Sequence, residues 1–297
     1  MKSAPRVPPP AEGWLNSNGI RMHYLDWGGA GPPLVALHGL ASSCHWYDLV
    51  LPHLADGFRC IALDQRAHGL SDQPSSGYDW STLAADVIGA LDQMRFDRVA
   101  LVGHSWGSSV ALNTAALHPD RVARLILVDG GFFDGRRLLP GTTWESYKAR
   151  LRPRDIYGPR ERYLRALKEE LAGCWNREIE RIVMTMVRMD PDGTVHERLE
   201  PGNHEQVLRA MWDEPPSAAF PRLQCPTLIV AAAPKETPEN APFLQRRRDA
   251  VAASQSAIRD CTVQWIQDSA HDIGYYKPRE LAIAIRSFLA DRLGSQK

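Results

Sequence analysis

The chain has 297 residues, and its 35 Lys and Arg balance 35 Asp and Glu. That length buries a sizeable core, in one large domain with an insertion or in two smaller ones. Zero net charge leaves no global field to attract nucleic acid or an acidic membrane, so a small neutral or weakly charged molecule is the expected partner. The five cysteines (Cys44, Cys60, Cys174, Cys225 and Cys261) are widely spaced and form no C-x-x-C pair, which fits a reducing compartment and argues against zinc or redox work. Prolines interrupt the opening MKSAPRVPPPAEGW where a signal peptide needs an apolar run, and no stretch of about 18 apolar residues follows. The expectation is a soluble, cytoplasmic protein without metal or organic cofactor, whose residues 1–13 form a disordered Pro-rich tail. Oligomeric state is not legible.

WLNSNGIRMHYLDWG places two short alternating segments around Asn18-Gly19, a dipeptide suited to the positive φ angles of a tight turn, and predicts an antiparallel edge hairpin. The runs PLVALHG, FRCIALD, RVALVGHS, RLILVDGG, PTLIVAAA and TVQWIQDS then read as strands buried on both faces. Helical stretches such as STLAADVIGALDQM, WGSSVALNTAALHP and PRELAIAIRSFLADRL lie between most of them. Such alternation predicts an α/β fold with a mostly parallel sheet flanked by helices, and reacting groups at the carboxyl ends of the strands. It lapses over 134–217, where ESYKARL, RYLRALKEELAGCW, IERIVMTMVRM and HEQVLRAMW carry helical spacing. That segment is expected to be a helical cap inserted into a core made of 14–133 and 218–297. Trp144, Trp175, Met186 and Trp212 within it are candidates to line a substrate pocket, although such residues more often hold cap helices together.

In ALVGHSWGSSVAL, Gly103-His104-Ser105-Trp106-Gly107 is a G-x-S-x-G motif between an apolar strand and a small-residue helix, the context this motif requires. The serine sits on a sharp strand-to-helix turn, where larger neighbours would collide with backbone. The helix N-terminus beneath it offers N–H groups to a developing oxyanion.

From about residue 14 onward the chain resembles the α/β-hydrolase family. LHGLASSCHWYDLVLPHL resembles its His-Gly loop, LDQRAHGLSDQP its D-x-R-x-x-G-x-S segment, and GHSWG its nucleophile elbow. The family's fold is a mostly parallel eight-stranded sheet. The resemblance implies that the backbone N–H groups of Leu40 and Trp106 form the oxyanion hole, their side chains serving as pocket walls. It also implies structural roles for His38 and His68. Family branches that open epoxides or remove halogen use an aspartate nucleophile, which Ser105 is not. Serine favours acyl transfer through an acyl-enzyme.

His271 follows the last predicted strand, where the family keeps its catalytic histidine, and a loop there can carry Nε2 to Ser105. His104 must point away from Ser105 for the turn to form. For the acid, relatives usually have an aspartate a few residues past the seventh strand, where this chain has Lys235. Two carboxylates are open: Asp129, at the end of RLILVDGG, where some branches keep their acid, and Glu236, one position late. Asp129 is preferred, since Gly130-Gly131 lets the backbone turn and a Glu beside Lys235 is readily a solvated surface pair.

The expected function is hydrolysis of a carboxylic ester or lactone with a bulky, partly apolar substrate, such as a macrocyclic lactone, a lipid-like ester or an aromatic ester. Two alternatives stay open: hydrolysis of a carbon–carbon bond in a β-diketone-like acid, and a slow-turnover ligand receptor. A peptidase is disfavoured because Gly39-Leu40-Ala41-Ser42 stands where peptidase relatives have Gly-Gly-Pro-Gly.

Overall fold

The computed structural model describes residues 9–134, 141–151 and 157–290. Most of the expected tail lies outside them, but its last residues are ordered: β1 (Ala11–Ser17) begins inside 1–13 and pairs antiparallel with β2 (Ile20–Gly28). Ser17 faces Ile20 across Asn18 (φ 47°) and Gly19 (φ 79°), the turn that Asn-Gly favours.

The chain continues through β3 (Pro33–Leu37), β4 (Arg59–Leu63), α1 (Trp80–Gln93), β5 (Val99–His104), α2 (Trp106–Leu117) and β6 (Val122–Val128). After an intervening segment come β10 (Thr227–Ala233), α7 (Ala241–Ala257), β11 (Cys261–Gln267), α8 (Ile273–Tyr276) and α9 (Pro278–Ala290). Eight strands form one sheet in the order β1-β2-β4-β3-β5-β6-β10-β11, parallel from β4 onward.

The apolar runs are continuous because the sheet is covered on both sides. Leu34, Ala36 and Val102 enter one core with Leu281 and Ile285 of α9, whereas Val35, Leu37 and Leu101 enter the other with Val87 of α1 and Val110 of α2. α1 starts where Asp79 accepts the Thr82 N–H at 2.9 Å.

Between β6 and β10 the described elements are α3 (Trp144–Arg150), β7 (Gly158–Pro159), α4 (Arg160–Glu170), α5 (Arg177–Met184), β8 (Val187–Met189), β9 (Thr194–Glu197) and α6 (Pro201–Asp213). The helical periodicity is realised in α3 to α6, but not throughout. Val187–Met189, read from the sequence as helix, is a strand in a small antiparallel sheet of order β7-β9-β8. The Asp190–Gly193 turn overrides the pattern, with Gly193 at φ 86° and the Asp190 N–H donating to the Thr194 carbonyl at 2.8 Å.

Candidate active site

β5 ends at His104 and α2 begins at Trp106, so Ser105 makes the whole turn, at φ 54° and ψ −119°. Side chains rarely adopt this backbone, which costs roughly 1–3 kcal/mol. The surroundings hold it: the Ser105 N–H donates to the Val128 carbonyl at 2.9 Å, and the Ser108 N–H to the Ser105 carbonyl at 3.0 Å. The flanking glycines are close-approach positions. A Cβ on Gly103 would stand 2.2 Å from the Gly107 carbonyl oxygen, and one on Gly107 would stand 2.3 Å from that of His38.

His271 lies in the loop between β11 and α8, with its side chain half exposed. Its Nδ1–H donates to Asp129 Oδ2 at 2.7 Å, which leaves Nε2 free to accept the Ser105 hydroxyl at 2.9 Å. The partial burial of the ring pulls the imidazole towards neutrality. The hydrogen bond and charge of Asp129 outweigh it, so the His271 pKa is raised above the ordinary histidine value. The loop is tied down by the Trp46 Nε1–H, which donates to Asp272 Oδ1 at 2.8 Å. The neighbouring His104 points away from Ser105, as the turn demands. Its Nε2–H donates to the His271 carbonyl at 3.1 Å, its ring stacks on Trp46 at 4.0 Å, and burial pulls its pKa down to about 4.

Asp129 follows β6 at φ 50° and is buried. Its Oδ1 accepts the Ala232 N–H at 2.8 Å and also an Arg247 N–H. Burial pushes the carboxyl up, but hydrogen bonding from His271, the charges of His271 and Arg247, and the Ala232 amide together hold it below the usual carboxylate range. Glu236 is elsewhere: it is exposed and pairs with Arg248 at 2.9 Å. Lys235 is exposed on the same loop. Arg247 is the buried group that sequence reasoning missed. It lies in a run of three arginines on α7, and only the register of that helix shows which one turns inward.

The His-Gly loop is built on two neutral histidines. The His38 Nδ1–H donates to the Gly39 carbonyl at 2.7 Å, while its Nε2 accepts the Gln65 N–H at 3.1 Å. The His68 Nδ1–H donates to the Arg66 carbonyl at 2.8 Å, while its Nε2 accepts the Ala41 N–H at 3.1 Å. Leu40 is thereby held beside Ser105 and lines the same cavity. Trp106 supplies its main chain at the first residue of α2, where an N–H has no partner within the helix. Its indole is buried and stacks on His68 at 5.1 Å, so the expectation that it walls the pocket does not hold.

The cavity over Ser105 and His271 has a volume of about 140 Å³. It is lined by Leu40, Leu167, Leu171, Val183, Met186 and Tyr275, with Glu170 and Asp272 also at its wall. Of the four expected pocket residues, Met186 is there. Trp144 and Trp212 instead pack together at 6.1 Å, with Tyr147 5.2 Å from Trp212, and Trp175 packs against the core. Trp144 and Trp212 stand on α3 and α6, which pack against each other.

Among the described residues, one buried group has the residue types of a metal site: donor atoms of His23, Cys44 and Asp64 lie within 4.8 Å of one another. Its atoms already have protein partners. Asp64 accepts from the His23 Nδ1–H, the Cys44 N–H and the Leu70 N–H, and burial pushes the Cys44 thiol up. Among the described residues no helix is long and apolar enough to cross a membrane.

A sequence profile described as the alpha/beta hydrolase fold matches residues 32–166. Similar curated proteins include a soluble epoxide hydrolase of Corynebacterium sp., 43% identical over 112 residues, which are 38% of this chain and 39% of that protein. A 2-(acetamidomethylene)succinate hydrolase of Mesorhizobium japonicum is 37% identical over 101 residues, 34% of this chain and 36% of that protein. The matches thus span under half of the curated relatives' lengths. Among solved structures, E-2-(acetamidomethylene)succinate hydrolase superposes with a TM-score of 0.76 at 22% identity, covering 94% of this chain and 99% of its own. The enol-lactonase of Burkholderia xenovorans gives 0.69 at 21%, covering 93% and 99%. At these identities the structural likeness speaks for the fold.

Proposed function

We propose that this chain, which belongs to the α/β-hydrolase fold family, is a serine hydrolase that cleaves a carboxylic ester or lactone through an acyl-enzyme. One observation carries the reading: Ser105 Oγ, His271 and Asp129 form a continuous relay with contacts of 2.9 and 2.7 Å.

In this reading His271 Nε2 takes the Ser105 proton as Oγ attacks the substrate carbonyl. Asp129 fixes the tautomer and steadies the imidazolium. The oxyanion is received by the backbone N–H groups of Leu40 and Trp106. The imidazolium then protonates the departing alkoxide, and water, activated by the same histidine, releases the acid.

The serine itself supports carbonyl chemistry over epoxide opening. A serine that attacked an epoxide carbon would form an ether, which water and an imidazole do not cleave, whereas an acyl ester is readily hydrolysed.

The volume supports a smaller substrate than the sequence suggests. Ligand pockets usually run to about 300–1,000 Å³, so a cavity of about 140 Å³ suits a compact, largely apolar acyl group rather than a macrocyclic lactone. We assign residues 134–217 the role of a cap, because Leu167, Leu171, Val183 and Met186 from that segment close over the serine. The free cysteines favour a cytoplasmic setting.

The test is a panel of aryl esters and lactones graded by acyl size, with Ser105→Ala as control. The expected result is a kcat/KM that falls as the acyl chain lengthens, with no turnover by the control. Stoichiometric product from the wild type would instead identify a slow-turnover receptor.

A further inference from the structure

The carboxylate behind His271 has a second cationic partner. Arg247 reaches Asp129 Oδ1 from α7, on the opposite oxygen from His271, and shares that oxygen with the Ala232 amide. The arginine is buried, and its guanidinium carbon lies 5.2 Å from the Phe133 ring centroid, which orients the planar group. An arginine placed only for surface solubility would not be drawn inward at the cost of desolvating it.

We infer that Arg247 is a positioning residue for the Asp129–His271 pair: it holds the carboxylate charged and aimed, and moderates the negative field that the imidazole feels.

The inference rests on the reading of Ser105, His271 and Asp129 as a catalytic relay. Burial favours the protonated carboxyl, and the carboxylate charge raises the proton affinity of the imidazole. A fixed cation on the far oxygen opposes both tendencies. Among the described residues, the other charged or titratable groups here are few. His104 and Asp272 flank His271. Lys235, the Glu236–Arg248 pair and Asp268 line the space on the outer side of Arg247. Arg247 is the cation in direct contact with Asp129.

Removing the positive charge raises the proton affinity of the Asp129–His271 pair as a unit, whichever member takes the proton. The pH at which the base becomes available therefore moves upward. The experiment titrates the His271 ring by NMR in the wild type, Arg247→Gln, Arg247→Met and Arg247→Lys. Alongside it, the rate of fluorophosphonate labelling at Ser105 is followed across pH. Two charge-removing variants are used so that poor folding of one, seen by thermal unfolding, leaves the other.

The expected result is a midpoint shifted to higher pH in the Gln and Met variants. It returns towards the wild-type position in the Lys variant, and labelling near pH 7 falls about tenfold in the neutral variants, as expected for a perturbed general base. A midpoint unchanged in a folded neutral variant overturns the inference, because a purely structural arginine would leave it in place. If the NMR shift is found but the wild type is not labelled at Ser105, the acyl-enzyme reading fails while the electrostatic role of Arg247 stands.

Discussion

Asp129 Oδ2 and His271 Nδ1 meet at 2.7 Å although 142 positions separate them in the chain. The other carboxylate considered for this place, Glu236, is turned outward onto Arg248 at 2.9 Å. The consequence for activity is sharp. Asp129→Asn is expected to lower kcat by about four orders of magnitude, the loss known for the serine-protease acid. Glu236→Gln should alter it by less than about twofold, since an exposed ion pair contributes little. Steady-state kinetics on a simple aryl ester checks both; a crippled Glu236→Gln enzyme with an active Asp129→Asn enzyme would reverse the assignment.

The contrast also shows what the sequence could carry. Ser105 was legible because the turn imposes its glycines locally, and His271 because the last strand and helix bracket its loop. The acid was legible only as a choice. Lys235 in place of the usual aspartate signalled displacement, but the direction of the Asp129 side chain depends on the backbone at φ 50° and on a contact from α7. Arg247 had no signal at all, since nothing in a run of three arginines tells which faces inward. The small β7-β9-β8 sheet escaped because strands of two to four residues are too short to show a period.

The buried histidines predict an acid limit to stability. Burial lowers His68 to about 3 and His104 to about 4, against an ordinary value of 6.5. Between these values the unfolded chain binds protons that the folded one refuses, so stability falls as pH drops below 6.5. Asp129, held low, adds stability that disappears only as pH falls through its own depressed value. His271 acts oppositely: its raised pKa adds stability at low pH that is lost as pH rises through the folded value. Burial also lowers His38, and His204 to about 4, so the depressed rings outnumber the raised one and the melting temperature should decline between about pH 7 and pH 5. Calorimetry tests this, with His104→Gln expected to flatten the slope; an unchanged melting temperature would contradict it.

Two glycines of different surroundings give a packing test. A Cβ on Gly107 would lie 2.3 and 2.4 Å from the carbonyl oxygens of His38 and Leu37, and neither backbone can yield without moving the oxyanion loop. Gly107→Ala should therefore cost at least about 2 kcal/mol in urea unfolding and slow Ser105 labelling. Gly202, near the start of α6, meets nothing within 4 Å, so Gly202→Ala should be neutral or stabilise by up to about 1 kcal/mol.

The relocation of the cap aromatics separates stability from specificity. Trp144, packed with Trp212 and covered by the Arg209 guanidinium at 5.1 Å, should on conversion to alanine cost roughly 1–3 kcal/mol of stability. Its kcat/KM should stay within about threefold of wild type. Met186→Ala, at the cavity wall, should instead lower kcat/KM for short acyl esters by about tenfold and improve the tolerance of longer ones. Paired melting curves and kinetics distinguish the two; a large specificity change in Trp144→Ala would return that residue to the pocket.

The most direct measurement is rapid-quench mass spectrometry of the enzyme during turnover of an aryl ester. The account predicts an acyl group carried on Ser105, formed and discharged at rates compatible with turnover, and absent from a folded Ser105→Ala protein that no longer hydrolyses the ester. Undiminished turnover by Ser105→Ala, or an acyl group lodged on another residue, would contradict it.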